Sequence, residues 1–377
     1  MKDFYSFDEY SIPLWVKALF WGLYMVVFVY AVWKTLLSAP KKTKVSTIRQ
    51  RRVEASYLII LYFAAYAVFY CVNPDYFRYR DWLNFPFSMD FHKEQVYAFL
   101  IMFCRSLPSE YPYEVFRLIV WGGGVLLVLY TSRMYRNLLM PGLNVLFLFV
   151  FYSGTFCYAR ASLAMTVYFM GISICLWGKN RWKQILGLGL AVCSYFFHHE
   201  MIIGIAALPA LLLPFEKKKS ICFSLILLAI SITVLTYINS NLAIMESVFG
   251  NDELAEKMEE FSNQEQGVFR MSTFVKYADF FYPFFLITTI FYRYKKLPKP
   301  IAGIYRITFA LLMATVAFMV VSGLRSTYTY RVMYITIIPM SILITYCYNQ
   351  GLFKKYQFVI MLLLALLANS VRLINAS

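Results

Sequence analysis

Residues 160–200 read RASLAMTVYFMGISICLWGKNRWKQILGLGLAVCSYFFHHE. One apolar run follows Arg160 and ends at Trp177. A short basic stretch, Lys179 to Lys183, comes next, and a second apolar run ends at Phe197-His198-His199-Glu200. At 1.5 Å per residue the first run covers roughly 27 Å, close to the thickness of a bilayer core. The pattern predicts a transmembrane hairpin with its basic turn at one membrane face. Arg160 and two of the chain's three histidines meet at the other face. A hairpin that only faces lipid needs none of them.

The same reading extends outward. The chain has 377 residues, 60% of them hydrophobic and 19% aromatic, against an apolar share nearer half in soluble domains. The apolar runs are near 20 residues and do not alternate, which excludes a β-barrel. The composition predicts an all-α fold: one integral membrane domain over 1–377, a polytopic transmembrane helical bundle of about 12 spans. Helices are expected at about 14–36, 55–72, 113–132, 138–153, 161–177, 184–198, 201–215, 220–239, 277–292, 301–321, 331–348 and 357–374. Outer loops of about 73–112 and 239–276 carry short interfacial helices. The seven cysteines form no CxxC pair, which excludes a disulfide framework and a zinc site. Met1 to Ser11 is short and acidic, with no small-residue cleavage site after the first apolar run, so that run is expected to stay as an anchor.

The net charge of +16 would suit a nucleic-acid partner, but its distribution excludes one. With the N-terminus outside, 22 of the 36 basic residues and only Glu54 and Glu216 of the 20 acidic ones fall on the inner side. That is the positive-inside bias of a polytopic membrane protein. The inner charge then meets anionic lipid, and no basic soluble module exists to bind nucleic acid.

Three outer stretches break the lipid-facing pattern. The first, NPDYFRYRDWLNFPFSMDFHKE, begins at Asn73 and carries Asp75, Arg78, Tyr79 and Arg80. Gln95 to Arg105 follows, too short to span, and reads as an interfacial or re-entrant helix stopped by Leu107-Pro108. The second, GNDELAEKMEEFSNQEQG from Gly250, is amphipathic and suits a membrane-surface helix or a lid. The third, SGLRSTYTYRVMY from Ser322, holds Arg325, Arg331 and Tyr334. Gly122, Gly123 and Gly124 interrupt the 113–132 span and suit close helix packing or a kink.

Polar groups at spans are costly and ask for a function. Arg78, Arg80, Arg160, Arg325 and Arg331 all fall on the outer face, where the charge bias disfavours arginine. Clustered guanidinium groups recognise anions through a planar fork of donors that stays charged when desolvated. A diphosphate on a lipid carrier is the obvious anion there. His198, His199 or Glu200 can take a proton from an attacking hydroxyl. The bland alternative for a lone outer arginine is a snorkelling, headgroup-contacting residue, and that is the expectation for Arg105 and Arg117. No metal-ligand, phosphate-loop or serine-elbow motif is present, so no metal and no cofactor is expected.

At these residues the sequence resembles the EpsG/Wzy family of bacterial polysaccharide polymerases. The family shows an outer-loop Asp followed by Tyr, an Arg-Gln-x-x-Ala opening a middle helix, a Phe-His-x-Ser closing the next, and a late outer Arg near a Tyr. The chain matches with Asp75 and Tyr79, Arg160 and Ala164, Phe197 and His198, and Arg331 and Tyr334, in order, over about residues 55–350. It departs at Ala161, where the family has Gln, and at Glu200, where the family has a small residue. The resemblance implies a glycosyltransferase-type polymerase in the bacterial inner membrane. It would join undecaprenyl-diphosphate-linked repeat units at the periplasmic face, for O-antigen, capsule or exopolysaccharide, with a chain-length regulator as a candidate partner. His198, Glu200, His199 and Asp75 would be its catalytic candidates. Arg160, Arg331, Arg78, Arg80, Arg325, Tyr79 and Tyr334 would bind substrate. Three rivals fit parts of the pattern: a glycosyltransferase using a lipid monophosphate sugar with Asp75, Asp81 or Asp90 as base, a ligase, and a lipid-linked sugar flippase. The last should show internal repeats, and the sequence has none.

Overall fold

The computed structural model describes residues 14–37, 56, 82–83, 95–108, 112–135, 138, 159–212, 283–291, 297–322, 333 and 335–375. Among them the fold is helical, with no strand. Apart from Ser56 and Leu138, the helices expected at 55–72, 138–153 and 220–239 lie outside these residues, as does the lid segment after Gly250. Two of the described helices, Val115–Met134 and Lys299–Ala317, are long and apolar enough to cross a membrane. The expected set of about 12 spans is larger than this.

Helix α1 (Leu14–Leu37) buries Tyr24, Val27, Phe28 and Ala31, the i, i+3, i+4, i+7 stripe of one face. Its other face is also apolar, with Val26, Val29 and Trp33 exposed. An exposed apolar face of this kind suits a lipid neighbour better than water. Helix α2 (Gln95–Ser106) ends just before Leu107-Pro108, as expected. It packs on α3 (Pro112–Arg117), which runs through a wide π-turn, Leu118–Gly122, into α4 (Gly123–Met134). The glycines therefore accompany a change of helical geometry more than a tight crossing. A methyl on Gly123 would meet nothing within 4 Å, and one on Gly124 would only graze Thr166 at 3.9 Å.

The hairpin is built from α5 (Ala159–Trp177) and α6 (Arg181–Cys193). Its turn is shorter than expected. The Asn180 side chain accepts from the Lys183 N–H at 3.1 Å, an N-cap that starts α6 at Arg181 instead of at 184. The Gln184 side chain ties the turn by donating to the Gly178 carbonyl at 3.2 Å. The arms touch backbone to backbone. A Cβ on Gly171 would lie 2.5 Å from the Ala191 nitrogen and 2.6 Å from the Gly187 carbonyl oxygen. Only glycine at both positions permits that approach.

α6 also ends earlier than expected, at Cys193 and not at 198. The Ser194 hydroxyl donates to the Ala191 carbonyl at 2.6 Å, a side-chain bond that competes with the helix. A single 3-10 turn, Ser194–Phe196, follows, then His198 in extended backbone, a second 3-10 turn at His199–Met201, and α7 (Ile202–Ala207) running into a 3-10 turn at Leu208–Leu212. The helix expected over 201–215 is this broken piece.

Helices α8 (Lys299–Ser322), α9 (Ile337–Asn349) and α10 (Lys355–Asn375) complete the described bundle. Gly303, near the start of α8, is covered by the side chain of Leu176, near the end of α5, so α8 runs antiparallel to α5. Tyr305 donates to the Ile287 carbonyl at 3.5 Å, and Phe285 stacks on Phe353, just past α9, at 5.7 Å. The start of α8 and the end of α9 thus share the end of the bundle that holds the hairpin turn. The end of α8 and the start of α9 share the other end, with His198.

Two apolar clusters fill the interior. The larger joins α1, the middle of α5, α8, α9 and α10. The smaller gathers Leu83, Tyr97, Ile101, Tyr113, Phe116, Trp121 and Leu163. The continuous helix from Pro112 contributes Phe116 and Val120 to the smaller cluster, and Val128 and Leu129 to the larger, with the π-turn between them. Trp182 (79% exposed) and Leu212 (84% exposed) mark the outer surface as apolar. That surface suits a bilayer and would be an aggregation liability in water.

Candidate functional site

The break after α6 holds the titratable groups. Backbone bonds tie it on both sides: the Ser194 carbonyl accepts from Phe197 N–H at 3.1 Å and His198 N–H at 3.2 Å, and the His198 carbonyl accepts from Met201 N–H at 3.0 Å. Below it, the Tyr168 hydroxyl of α5 donates to the Gly204 carbonyl at 2.5 Å. Gly204 is needed there, since a methyl would press on the Tyr168 ring at 3.1 Å. Phe197, the residue before His198, packs against both apolar clusters. His198 therefore leaves the seam between two cores with its main chain fixed.

Its side chain meets two neighbours. His198 Nε2 lies 3.3 Å from Glu200 Oε2, and the two side chains are only 11% and 12% exposed. The His199 ring stands edge-on to the His198 ring, with centroids 5.1 Å apart. One extended residue followed by a 3-10 turn brings side chains 198 and 200 together, as a continuous helix would not. Burial in apolar surroundings strengthens the histidine–carboxylate contact relative to water.

Arg160 is the second residue of α5, at the same end of the bundle as His198, because the hairpin is antiparallel. Asp75, Arg78, Tyr79, Arg80, Arg325, Arg331 and Tyr334 lie outside the described residues. Their described flanks are informative. Leu83, three residues after Arg80, belongs to the smaller cluster with Leu163, and Phe197 packs on that cluster. Ser322 and Met333, on either side of Arg325 and Arg331, adjoin the helix ends at the His198 end of the bundle.

Two arginines differ from expectation. Arg117 is not a snorkelling surface residue: it is 1% exposed. Its guanidinium carbon lies 5.8 Å from the Tyr113 ring centre and 5.9 Å from that of Trp121. The i−4 and i+4 spacing puts aromatic rings on both sides of the charge along one face, and each contact is worth about 0.5–2 kcal/mol. Arg105 does not reach outward for headgroups alone, since it donates to the Leu83 carbonyl. Sequence reasoning missed Tyr168 as the anchor of the break and Ser194 as its cause. Ser194, directly before an aromatic run, was the available signal for the latter.

Among the described residues no group of three histidine, cysteine or acidic side chains gathers to hold a metal ion. A family profile described as the EpsG family matches residues 53–376. No curated protein and no solved structure matches the chain.

Proposed function

The chain belongs to the EpsG family, the family of Wzy-type polysaccharide polymerases, and on that premise we propose that it polymerises undecaprenyl-diphosphate-linked oligosaccharide repeats. The family and the apolar helices make it a membrane protein. In this reading it has about 12 spans, lies in the bacterial inner membrane and works at the periplasmic face. The acceptor sugar hydroxyl of one lipid-linked repeat attacks the anomeric carbon of the growing chain. The bond from that carbon to the diphosphate oxygen breaks, and undecaprenyl diphosphate leaves with the electron pair. The hydroxyl proton passes to a base at the His198–Glu200 pair. Arg160 and Arg331 bind the leaving diphosphate, with Arg78, Arg80 and Arg325 as further cationic contacts. Tyr79 and Tyr334 contact the substrate. Asp75 and His199 complete the candidate set.

The observation that carries the reading is the hairpin. It sets a buried histidine–carboxylate pair at the end of the bundle where α5 begins, with Arg160 as its second residue. The chemistry needs an anion clamp and a base; the buried His198–Glu200 pair supports the base, and the clamp rests on the family and on the place of Arg160 in α5. The test uses protein-containing vesicles supplied with lipid-diphosphate-linked repeats. Arg160→Ala and Arg331→Ala should each abolish chain growth while protein level persists. Full-length polymer from both variants would overturn the assignment.

A further inference from the structure

The end of the bundle away from His198 carries charge that the polymerase reading does not use. Among the described residues, the lysines and arginines found exposed all lie there. Lys179, Arg181 and Lys183 stand in and beside the hairpin turn, and Arg133 near the end of α4. Lys299 opens α8, and Lys354 and Lys355 stand where α10 begins. Contacts hold these segments at one end. The Tyr135 hydroxyl, just past α4, lies 3.0 Å from Ser173 Oγ, and its ring stands edge-on to Trp177 at 5.7 Å. Leu176 covers Gly303 of α8. Phe353, directly before Lys354, stacks on Phe285, two residues before the Ile287 carbonyl that Tyr305 of α8 holds. No described residue at this end is acidic.

On three helices the same order of side chains leads inward from that end. α4 carries Arg133, then Tyr130, then Leu126, all exposed. α6 carries Arg181 and Lys183 around Trp182, then Ile185 and Leu186, all exposed. α10 carries Lys354 and Lys355, then Tyr356, then Ile360 and Leu363, all exposed. Lys354 Nζ sits over the Tyr356 ring, 5.9 Å from its centre. In each case a ring lies beside the cations, and aliphatic chains follow roughly 5–10 Å deeper. That order matches one bilayer leaflet: headgroups, the interfacial aromatic layer, then hydrocarbon. A soluble acidic protein would meet the cations and leave the aliphatic chains in water.

We infer that this end is a docking surface for anionic phospholipid headgroups, assembled from four separate connections of the chain. The phosphates sit at the level of the cations, and the rings of Tyr130, Trp182 and Tyr356 mark the boundary with the acyl chains. The attraction is electrostatic, so salt weakens it. The inference stands whichever reaction the His198 end performs.

The test uses full-length protein in bilayers of equal parts phosphatidylcholine and phosphatidylglycerol, with bromine on the acyl chains of one or the other. Bromine quenches tryptophan on contact, and subtracting the Trp182→Phe signal isolates Trp182. Brominated phosphatidylglycerol should quench Trp182 more than brominated phosphatidylcholine, and added salt should narrow the difference. Combined Lys179→Gln, Arg181→Gln and Lys183→Gln should lower the preference by up to about fivefold per charge removed. The salt titration needs no variant, so it decides even where the triple variant folds poorly. Equal quenching by the two lipids, a preference indifferent to salt, or one that survives in the folded triple variant overturns the inference. Equal quenching together with capture of poly-glutamate by the same cations overturns it in favour of an acidic protein partner.

Discussion

The backbone crossing at Gly171 and Gly187 allows a test in which one helix supplies its own control. A methyl on Gly187 would lie 2.6 Å from the Gly171 carbonyl oxygen and 2.9 Å from the Cys175 Cα, where ordinary contact begins at 3.4 Å. The shortfall at the oxygen is 0.8 Å, and backbone cannot rotate away as a side chain can. Gly187→Ala must push α5 and α6 apart, at an overpacking cost of about 1–3 kcal/mol. Gly189, two residues on, would place its methyl with nothing within 4 Å. Gly189→Ala should therefore gain about 0.5–1 kcal/mol from the better helix former. Both variants make the same chemical change in the same helix, so the propensity gain cancels between them. Their difference isolates the crossing: about 1–3 kcal/mol, roughly 5- to 150-fold in the unfolding constant. Unfolding in a denaturing detergent, followed by fluorescence with Trp177 and Trp182 flanking the turn, measures it. Polymer yield should fall in Gly187→Ala, because the far end of α6 leads directly to His198, and should hold in Gly189→Ala. Equal midpoints for the two variants, or Gly187→Ala at or above wild type, would refute the reasoning.

Tyr168→Phe removes the hydroxyl that holds the Gly204 carbonyl. It should cost about 0.5–1.5 kcal/mol in the same unfolding assay, and it should lower kcat by loosening the segment that follows Glu200. An unchanged midpoint with unchanged turnover would remove Tyr168 as the anchor. Arg306 donates from its guanidinium to the Leu211 carbonyl at 2.9 Å, closing the last 3-10 turn against α8. Arg306→Met should cost about 1–3 kcal/mol, read as a lower detergent midpoint. Because this contact lies toward the hairpin-turn end, turnover at a stabilising temperature should stay near wild type.

Much of the frame is legible in the sequence because membrane helices announce themselves by uninterrupted apolarity. The ends of α1 and α2 and the two arms of the hairpin follow from apolar runs and from Leu107-Pro108. The Asn180 cap carries a local signal too, and outweighing it with the basic residues 181 and 183 put the start of α6 a turn late. The break at Ser194 is less legible. Serine is tolerated in membrane helices, and only its bond to Ala191 shows that here it competes with the ladder. Arg117 is illegible as buried from its type alone. Tyr113 and Trp121 share its face, but which face turns inward is decided by α2 and by Leu163, far along the chain. At the candidate site, His198 and Glu200 are readable as titratable groups near a membrane face. Their pairing depends on an extended residue followed by a 3-10 turn, which no helical periodicity predicts.

The π-turn at Leu118–Gly122 acts as a phase shifter. An α-helix advances about 100° per residue, and a π-turn accommodates one residue more than the regular repeat allows. Upstream of it the helix is geared to the smaller core, downstream to the larger. Wound as a regular α-helix, the same residues would turn Tyr113, Phe116 and Arg117 by about 100° relative to Val128 and Leu129, so the helix could satisfy one core or the other, not both. Deleting a single residue from 118–122 would remove the irregular turn and leave the two faces in phase. Deleting one residue elsewhere along the same span would keep the irregular turn and lose that phase. The irregular turn absorbs one residue and allows one rod to belong to two cores that meet at Phe197.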